Sequence, residues 1–283
     1  MPVRIVTDSS ADIPGSLRQE LGIATVPMTV NFGAERLRDG VDIDHDEFYR
    51  RLETSNVFPS TSQPTPPQFA EVYAGIDETS DIVSIHAAEE LSGTINAARQ
   101  AARDGSGSRR IEVIDGRSTS MGIGLVVLHA ARRAAAGAPV DEVIEATRRQ
   151  ITHAAVWFTV DTLEFLARGG RIGRAKHLLG TMLRIKPLLT VRNGVVEPVA
   201  QLRTRAQAVA TLARYAEERR PLAALSVAYS TDAGAAASLA DRLAESGLFP
   251  REQILITRLG PAIGTHVGPG CLSVAVLAIA NPS

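Results

Sequence analysis

The chain is poor in several residue types, and each shortage closes a class of function. It has one cysteine, Cys271, so neither an internal disulfide nor a multi-cysteine metal site can form. Aromatics make up only 4%, and the interior must be built from Ala, Val, Leu and Ile. Lysine is nearly absent: of 30 basic residues 28 are arginine, and Lys176 and Lys186 lie in one short stretch. A formal charge of −1 leaves no electrostatic footprint for nucleic acid. No apolar run reaches membrane-spanning length, and Met1-Pro2-Val3-Arg4-Ile5 enters a strand-like run without a signal-peptide pattern, which predicts a soluble, cytoplasmic protein. Familiar catalytic motifs are missing too. There is no Gly-x-Ser-x-Gly elbow, Walker A loop or His-Glu-x-x-His, and no dinucleotide glycine fingerprint follows the first strand.

What the chain does have is an ordered succession of strand and helix signals. At 283 residues and 45% hydrophobic it is globular, long enough for one large domain or two ordinary ones. Short β-branched runs at Val3–Thr7, Ala24–Val30, Asp81–Ile85 and Ile111–Ile114 predict strands. Between them Thr65-Pro66-Pro67 is a capped helix start, and Ser92 or Gly93 opens a helix through Arg103. Met121–Ala136 is Ala-rich and helical, and Pro139-Val140-Asp141 starts the next helix. Such alternation predicts parallel strands with helices on the faces. Near residue 153 the pattern changes. Strands are expected at Ala155–Val160, Leu188–Arg192 and Val195–Val199, with Asn193-Gly194 as a hairpin turn. Short helices at Thr162–Ala167 and Ala175–Leu183 precede that hairpin. Helices Arg205–Arg219 and Ala233–Ser246 then alternate with strands Ala223–Tyr229, Ile254–Arg258 and Leu272–Ala280. The expected fold is α/β with two α/β domains: 1–152 on a mainly parallel sheet with flanking helices, and 153–283 on a mixed sheet with helices.

Three segments suit ligand contact. Glycines from Gly260 to Gly270 surround His266, which lets the backbone approach a ligand and reads as a loop walling a site. Ser60-Thr61-Ser62-Gln63-Pro64 and Leu91-Ser92-Gly93-Thr94 place hydroxyls before helix starts, where free N–H groups favour an anion without a lysine. Both are expected at the C-terminal edge of one sheet, although a polar turn and a Ser cap explain the same residues. Asp8-Ser9-Ser10 closes the first strand, where open α/β sheets put ligands, and Asp12 suits capping the helix begun at Ile13-Pro14. An Asx turn is the plainer reading of that segment. The basic segments Arg168–Lys176 and Leu202-Arg203-Thr204-Arg205 are either solvated helix ends or a surface facing phosphate or a partner. One imidazole beside two hydroxyl segments suits holding an anion. The same residues also allow a hydrolase or transferase on a small acyl or phosphorylated substrate, with Ser92 or Thr61 as nucleophile and His266 as base.

Six segments taken in order resemble the DegV family. They are Val6-Thr7-Asp8-Ser9-Ser10-Ala11-Asp12, Thr61-Ser62-Gln63-Pro64, Leu91-Ser92-Gly93-Thr94, Arg168-Gly169-Gly170-Arg171-Ile172, Ile185-Lys186-Pro187-Leu188 and Gly264-Thr265-His266-Val267-Gly268-Pro269-Gly270, within a match running from residue 3 to 279. The resemblance implies a two-domain α/β protein that holds one long-chain, palmitate-like fatty acid between its domains. It implies a non-catalytic subunit of a bacterial fatty acid kinase. A separate ATP-binding kinase subunit phosphorylates the bound carboxylate to an acyl phosphate for phospholipid synthesis. Carried over, Thr61, Ser92 and His266 take the carboxylate-binding positions, with Ser62 and the backbone N–H of Gly93 as neighbours. Arg171 and Arg203 fall in segments suited to phosphate transfer or kinase docking. Beyond the lipid the resemblance implies no cofactor, metal or nucleic acid, and transient membrane contact fits the same picture. Thr65 replaces the serine or alanine common after Gln-Pro in the family, a change of little weight at a helix cap.

Overall fold

The first apolar run forms β1 (Val3–Asp8) in a computed structural model that describes residues 1–105 and 109–279. A 3-10 turn at Ser9–Ala11 follows, then α1 (Gly15–Glu20), β2 (Ala24–Val26), β3 (Thr29–Phe32) and β4 (Glu35–Arg38). Next come α2 (His45–Thr54), β5 (Ser60–Ser62), α3 (Pro66–Ala74), β6 (Asp81–His86), α4 (Thr94–Gly105) and β7 (Ile111–Asp115). Helices α5 (Met121–Ala135) and α6 (Val140–His153) lead to β8 (Ala154–Thr159), α7 (Glu164–Arg168) and a 3-10 run over Gly173–Arg184. The hairpin β9 (Lys186–Arg192) and β10 (Val195–Leu202) precedes α8 (Arg205–Glu217), β11 (Leu222–Tyr229) and α9 (Ala233–Glu245). The described chain closes with β12 (Leu255–Arg258), α10 (Pro261–Val267) and β13 (Leu272–Ala278). No helix among the described residues is long and apolar enough to cross a membrane.

Three sheets result, and the fold is mixed α/β. One sheet is all parallel, in the order β2-β1-β6-β7. A second, β10-β9-β8-β13-β11-β12, is antiparallel except where β11 pairs with β12. The third is small and antiparallel, β4-β3-β5. Strand side chains alternate between faces, and in β8, β11 and β13 both faces are buried, which accounts for their nearly continuous apolar runs. Trp157, Val227 and Val274 point to a core under α8 and α9, while Phe158, Ala228 and Ala275 point to the largest core. That largest core also holds Ile5, Val83 and Ile85 of the parallel sheet together with Ile123, Leu125 and Val127 of α5. Helices α5 and α6 therefore form a layer shared by two sheets. Phe69, Tyr73 and Ala98, from α3 and α4, cover the opposite face of the parallel sheet.

Close approach of α5 to both sides is set by two small residues. A Cβ on Gly122 would meet Val156 of β8 at 3.1 Å, and one on Gly124 would meet the Ala11 carbonyl at 2.6 Å. Local signals explain other elements. Asn193 and Gly194 both take positive φ, 48° and 75°, as a two-residue hairpin of primed type requires. The Gln68 side chain accepts the Thr65 N–H at 2.8 Å and secures the start of α3.

The structure departs from the sequence reading in several places. The run Ala24–Val30 divides into β2 and β3, which belong to different sheets, with Pro27 unable to donate to either ladder. Residues 60–62 form a strand where a polar turn was expected, paired with β3 through Val30↔Thr61. The glycine segment around His266 folds as helix α10, because Gly260-Pro261 is a sound helix start with proline in the first turn. Residues 173–184 wind as 3-10 rather than α-helix. The elements β4 and α2 carry few apolar residues and were not foreseen. The last predicted strand ends at Ala278, and Ala280 lies outside the described residues.

Replacing Gly124 with alanine should lower unfolding free energy by about 1–3 kcal/mol, the usual cost of overpacking a close contact. Urea denaturation of Gly124→Ala against wild type measures it. An unchanged midpoint would show that α5 has slack between the sheets.

Candidate functional site

Where the two large sheets meet the small one, a cavity opens with about 820 Å³ of empty space, its mouth included. Its floor is the inner face of the mixed sheet. Val156 of β8, Val191 of β9 and Val196 of β10 line it side by side, with Phe158 two residues along β8. Leu166 of α7 and Ile263 of α10 add to the apolar wall. None of these six residues was singled out in the sequence. Singly they are ordinary apolar side chains; the register of three strands puts the first four on one surface, and the placement of α7 and α10 adds Leu166 and Ile263.

The polar part of the lining gathers Thr61, Ser92, His266 and Arg171, together with the hydroxyl residues Ser10, Thr119, Ser120 and Ser273. Thr61 Oγ1 and His266 Nε2 share a hydrogen bond of 2.8 Å across 205 residues of sequence. The imidazole fits because residue 169 is glycine; a Cβ there would stand 2.2 Å from His266 Nδ1. That Nδ1 is buried and has no hydrogen-bond partner among the described residues. Burial, and secondly the nearby Arg171 guanidinium, push the His266 pKa down to about 4, so the ring is neutral at pH 7.

Ser92 lies between β6 and α4, its hydroxyl 2.7 Å from that of Thr94. Arg171 donates through Nε to the Leu91 carbonyl at 3.1 Å and through Nη1 to the Gly169 carbonyl at 2.6 Å. It thereby ties the Ser92 segment to the turn under His266. No carboxylate pairs with Arg171 among the described residues. The expectation that Thr61 and Ser92 share one sheet edge is corrected. Thr61 belongs to the small antiparallel sheet, and Ser92 follows β6 of the parallel one. Both line the cavity, and nearby Gly93 allows the Gln63 side chain to lie against it, where a Cβ would come within 2.3 Å of Gln63 Oε1.

Other candidates fall elsewhere. The Ser62 hydroxyl accepts from Asn31 Nδ2 at 3.1 Å and does not line the cavity. Arg203 is exposed at the start of α8, its backbone N–H bound to Gln207 Oε1 at 3.0 Å, and it too is outside the lining. Asp12 does not cap α1; its carboxylate accepts the Ser120 hydroxyl at 2.5 Å and the Gly260 N–H at 2.8 Å. Asp8 closes the turn at Ser9–Ala11 by accepting the Ser10 N–H at 3.1 Å. Burial alone would raise its carboxyl, but hydrogen bonds from His86, Ser10 and Ala87 hold it below the ordinary value. Asp8, His86 and Ser84 stand in the order of a catalytic triad, with contacts of 2.9 and 2.7 Å. All three have 0% exposure, so no substrate reaches them and they serve as a buried network.

The family model described as "Uncharacterised protein, DegV family" matches residues 2–278. The chain belongs to the DegV family. A DegV domain-containing protein of Streptomyces coelicolor is 39% identical over 280 residues, covering 97% of this chain and 98% of that one. Among solved structures, a DegV family protein from Thermus thermophilus, described for its fatty acid binding, superposes with a TM-score of 0.90. It is 36% identical and covers 99% of this chain and 100% of its own. DegV of Bacillus subtilis, described as a fatty acid binding protein, gives 0.85 at 28% identity, with 99% and 100% covered.

The depressed pKa of this DegV histidine has a measurable consequence. Between pH 6.5 and about 4 the unfolded chain binds more protons at residue 266 than the folded one, so stability falls as the pH falls through that window. Ring-carbon NMR should find His266 titrating near 4, and His266→Gln should flatten the acid limb of thermal stability. A midpoint near 6.5 would show that the ring is solvated.

Proposed function

We propose that this chain binds one long-chain fatty acid. The carboxylate sits among Thr61, Ser92 and His266, and the tail lies along the apolar floor. One observation carries the reading: a single, mainly apolar cavity brings Thr61, Ser92, Arg171 and His266 together from distant parts of the chain, with further hydroxyls from Ser10, Thr119, Ser120 and Ser273 on its lining. The fatty acid binding described for the Thermus and Bacillus relatives supports it. Magnitudes assign the labour. A palmitate-like tail buried at about 0.8 kcal/mol per methylene contributes on the order of 10 kcal/mol before association costs. Each hydrogen bond to the charged head adds roughly 1.5–3 kcal/mol at most. The tail supplies affinity and the head contacts supply position.

Position matters because the carboxylate is to be handed to other chemistry. In this reading the chain is the lipid-holding subunit of a fatty acid kinase system, cytoplasmic and itself non-catalytic, with residues 1–152 and 153–283 as its two domains. A separate ATP-binding subunit phosphorylates the carboxylate, and positioning is most of what phosphoryl transfer asks of a protein. Arg171 faces the transferred phosphate or the kinase, and exposed Arg203 faces the kinase. Ser62 and the Gly93 backbone support the head-binding residues from behind.

The 2.8 Å contact of Thr61 with His266 favours one other reading, an acyl or phosphoryl hydrolase or transferase with Thr61 as nucleophile. It lacks a group to orient the imidazole, since Nδ1 has no partner among the described residues. Steady turnover of ATP or of an acyl ester by the isolated chain would establish this reading instead.

Protein purified from cells should release a fatty acid on denaturing extraction, read by mass spectrometry. An empty protein that also fails to bind labelled palmitate would end the lipid reading. His266→Ala should slow phosphorylation of bound lipid by a cognate kinase subunit at least tenfold, roughly the worth of one charged hydrogen bond. It should change palmitate retention much less; the reverse ranking would assign His266 to affinity.

A further inference from the structure

Helix α10 carries His266 but is too short to hold itself. At seven residues it lies well below the length at which an isolated helix persists in water. Its own cap position is Gly260, whose missing side chain offers no oxygen to the first-turn amides. Two carboxylates from the other end of the chain supply that oxygen. Asp12 Oδ1 accepts the Gly260 N–H at 2.8 Å, and Asp39 Oδ2 accepts the Ala262 N–H at 3.3 Å. Pro261, between them, has no N–H to satisfy.

Each carboxylate is fixed by a hydroxyl of its own. Ser9 Oγ donates to Asp39 at 2.8 Å and accepts the Met28 N–H at 3.0 Å, and Ser120 Oγ donates to Asp12 at 2.5 Å. Both acids are nearly sealed from solvent, with 6% and 7% exposure for Asp39 and Asp12. Neither lines the lipid cavity, so neither touches what binds there. Ala262 and His266 are four residues apart on one helix face, about 6 Å along the axis. A small rotation or shift of the first turn is thus delivered to the imidazole. Packing leaves α10 little other freedom: a Cβ on Gly264 would stand 2.5 Å from Phe48 Cε1, and the Tyr49 hydroxyl donates to the Leu259 carbonyl at 3.1 Å.

We infer that Asp39, with Asp12 beside it, is a positioning residue of the site: it caps α10 from a distance and sets where His266 meets Thr61. Asp39 makes the informative test, because the one backbone partner of its carboxylate lies inside the helix. The consequence for lipid rests on the fatty-acid reading, but the geometry of His266 does not.

The experiment follows the His266 ring by NMR in the ligand-free full chain, with its signal assigned by loss in His266→Gln. Asp39→Ala should shift that signal and raise its pKa by about one unit or more, as the ring is released toward solvent. Asp39→Asn keeps an acceptor of the same shape and should restore wild-type signals. Ser9→Ala, a milder change that frees Asp39, should shift the signal in the same direction by less. Ile254→Val, in the separate core under α8 and α9, controls for lost stability and should leave His266 unmoved. If Asp39→Ala or Ser9→Ala is folded and leaves the His266 signal and pKa at wild-type values, the inference is overturned. Labelled palmitate tests the other layer: Asp39→Ala should exchange it several-fold faster. A shifted ring with unchanged exchange would uphold the positioning role and count against the carboxylate position assigned to His266.

Discussion

The cavity depends on one packing constraint, the burial of α5 between two sheets. Its apolar residues belong to a core shared with β1 and β6 on one side and β8, β11 and β13 on the other. Large side chains at 122 and 124 would push the sheets apart, and the segments that follow β6, β8 and β12 would no longer reach a common space. The Thr61–His266 contact is therefore downstream of a hydrophobic decision made elsewhere. Close-packed interiors transmit small displacements rather than absorbing them. A loosely packed α5 would blur a site whose hydrogen bonds must hold to a few tenths of an ångström.

The electrostatics of the head site divide charge from geometry. His266 is neutral at physiological pH and offers an anion one oriented hydrogen bond and no net charge. Arg171 carries the charge, without a carboxylate partner among the described residues, and is held by two backbone carbonyls. Two carbonyls fix a guanidinium without neutralising it. A carboxylate entering the cavity would meet a positioned cation, a neutral ring and two hydroxyls.

Much of this was legible in the sequence. Period-two and helical patterns predict the parallel alternation, the β9–β10 hairpin from Asn193-Gly194 and the start of α3 at Thr65. Ser92 stood out as a hydroxyl before a helix start, although a plain cap explains it equally well, and Arg171 was singled out only through the family resemblance. Three things were hidden for identifiable reasons. Helix α10 looked like a loop, because its glycines were weighed for flexibility when Gly264 is there for contact with Phe48. Strand β5 looked like a turn, since a three-residue edge strand of serine and threonine has no apolar alternation to declare it. Asp12 could be seen as a cap, but not of which helix; a capping partner 248 residues away leaves no local trace.

The two carboxylates at α10 show how the fold ranks stability against placement. Burial raises the Asp39 pKa to about 6 and that of Asp12 well above the ordinary value, so folding disfavours their charged forms. Between pH 3.8 and about 6 the folded chain holds more protons at Asp39 than the unfolded one, so its contribution declines as pH rises, by on the order of 2–3 kcal/mol at neutrality. His266 is destabilising in the opposite direction, on acidification. The Asp39 cost is not needed to close the core, because leucine at residue 39 would avoid burying a charge. Leucine would, however, leave the Ala262 N–H without an acceptor, and that amide lies one helical turn before His266. A residue that costs stability at neutral pH and fixes the start of a helix carrying a site histidine is more simply understood by what it positions than by what it stabilises.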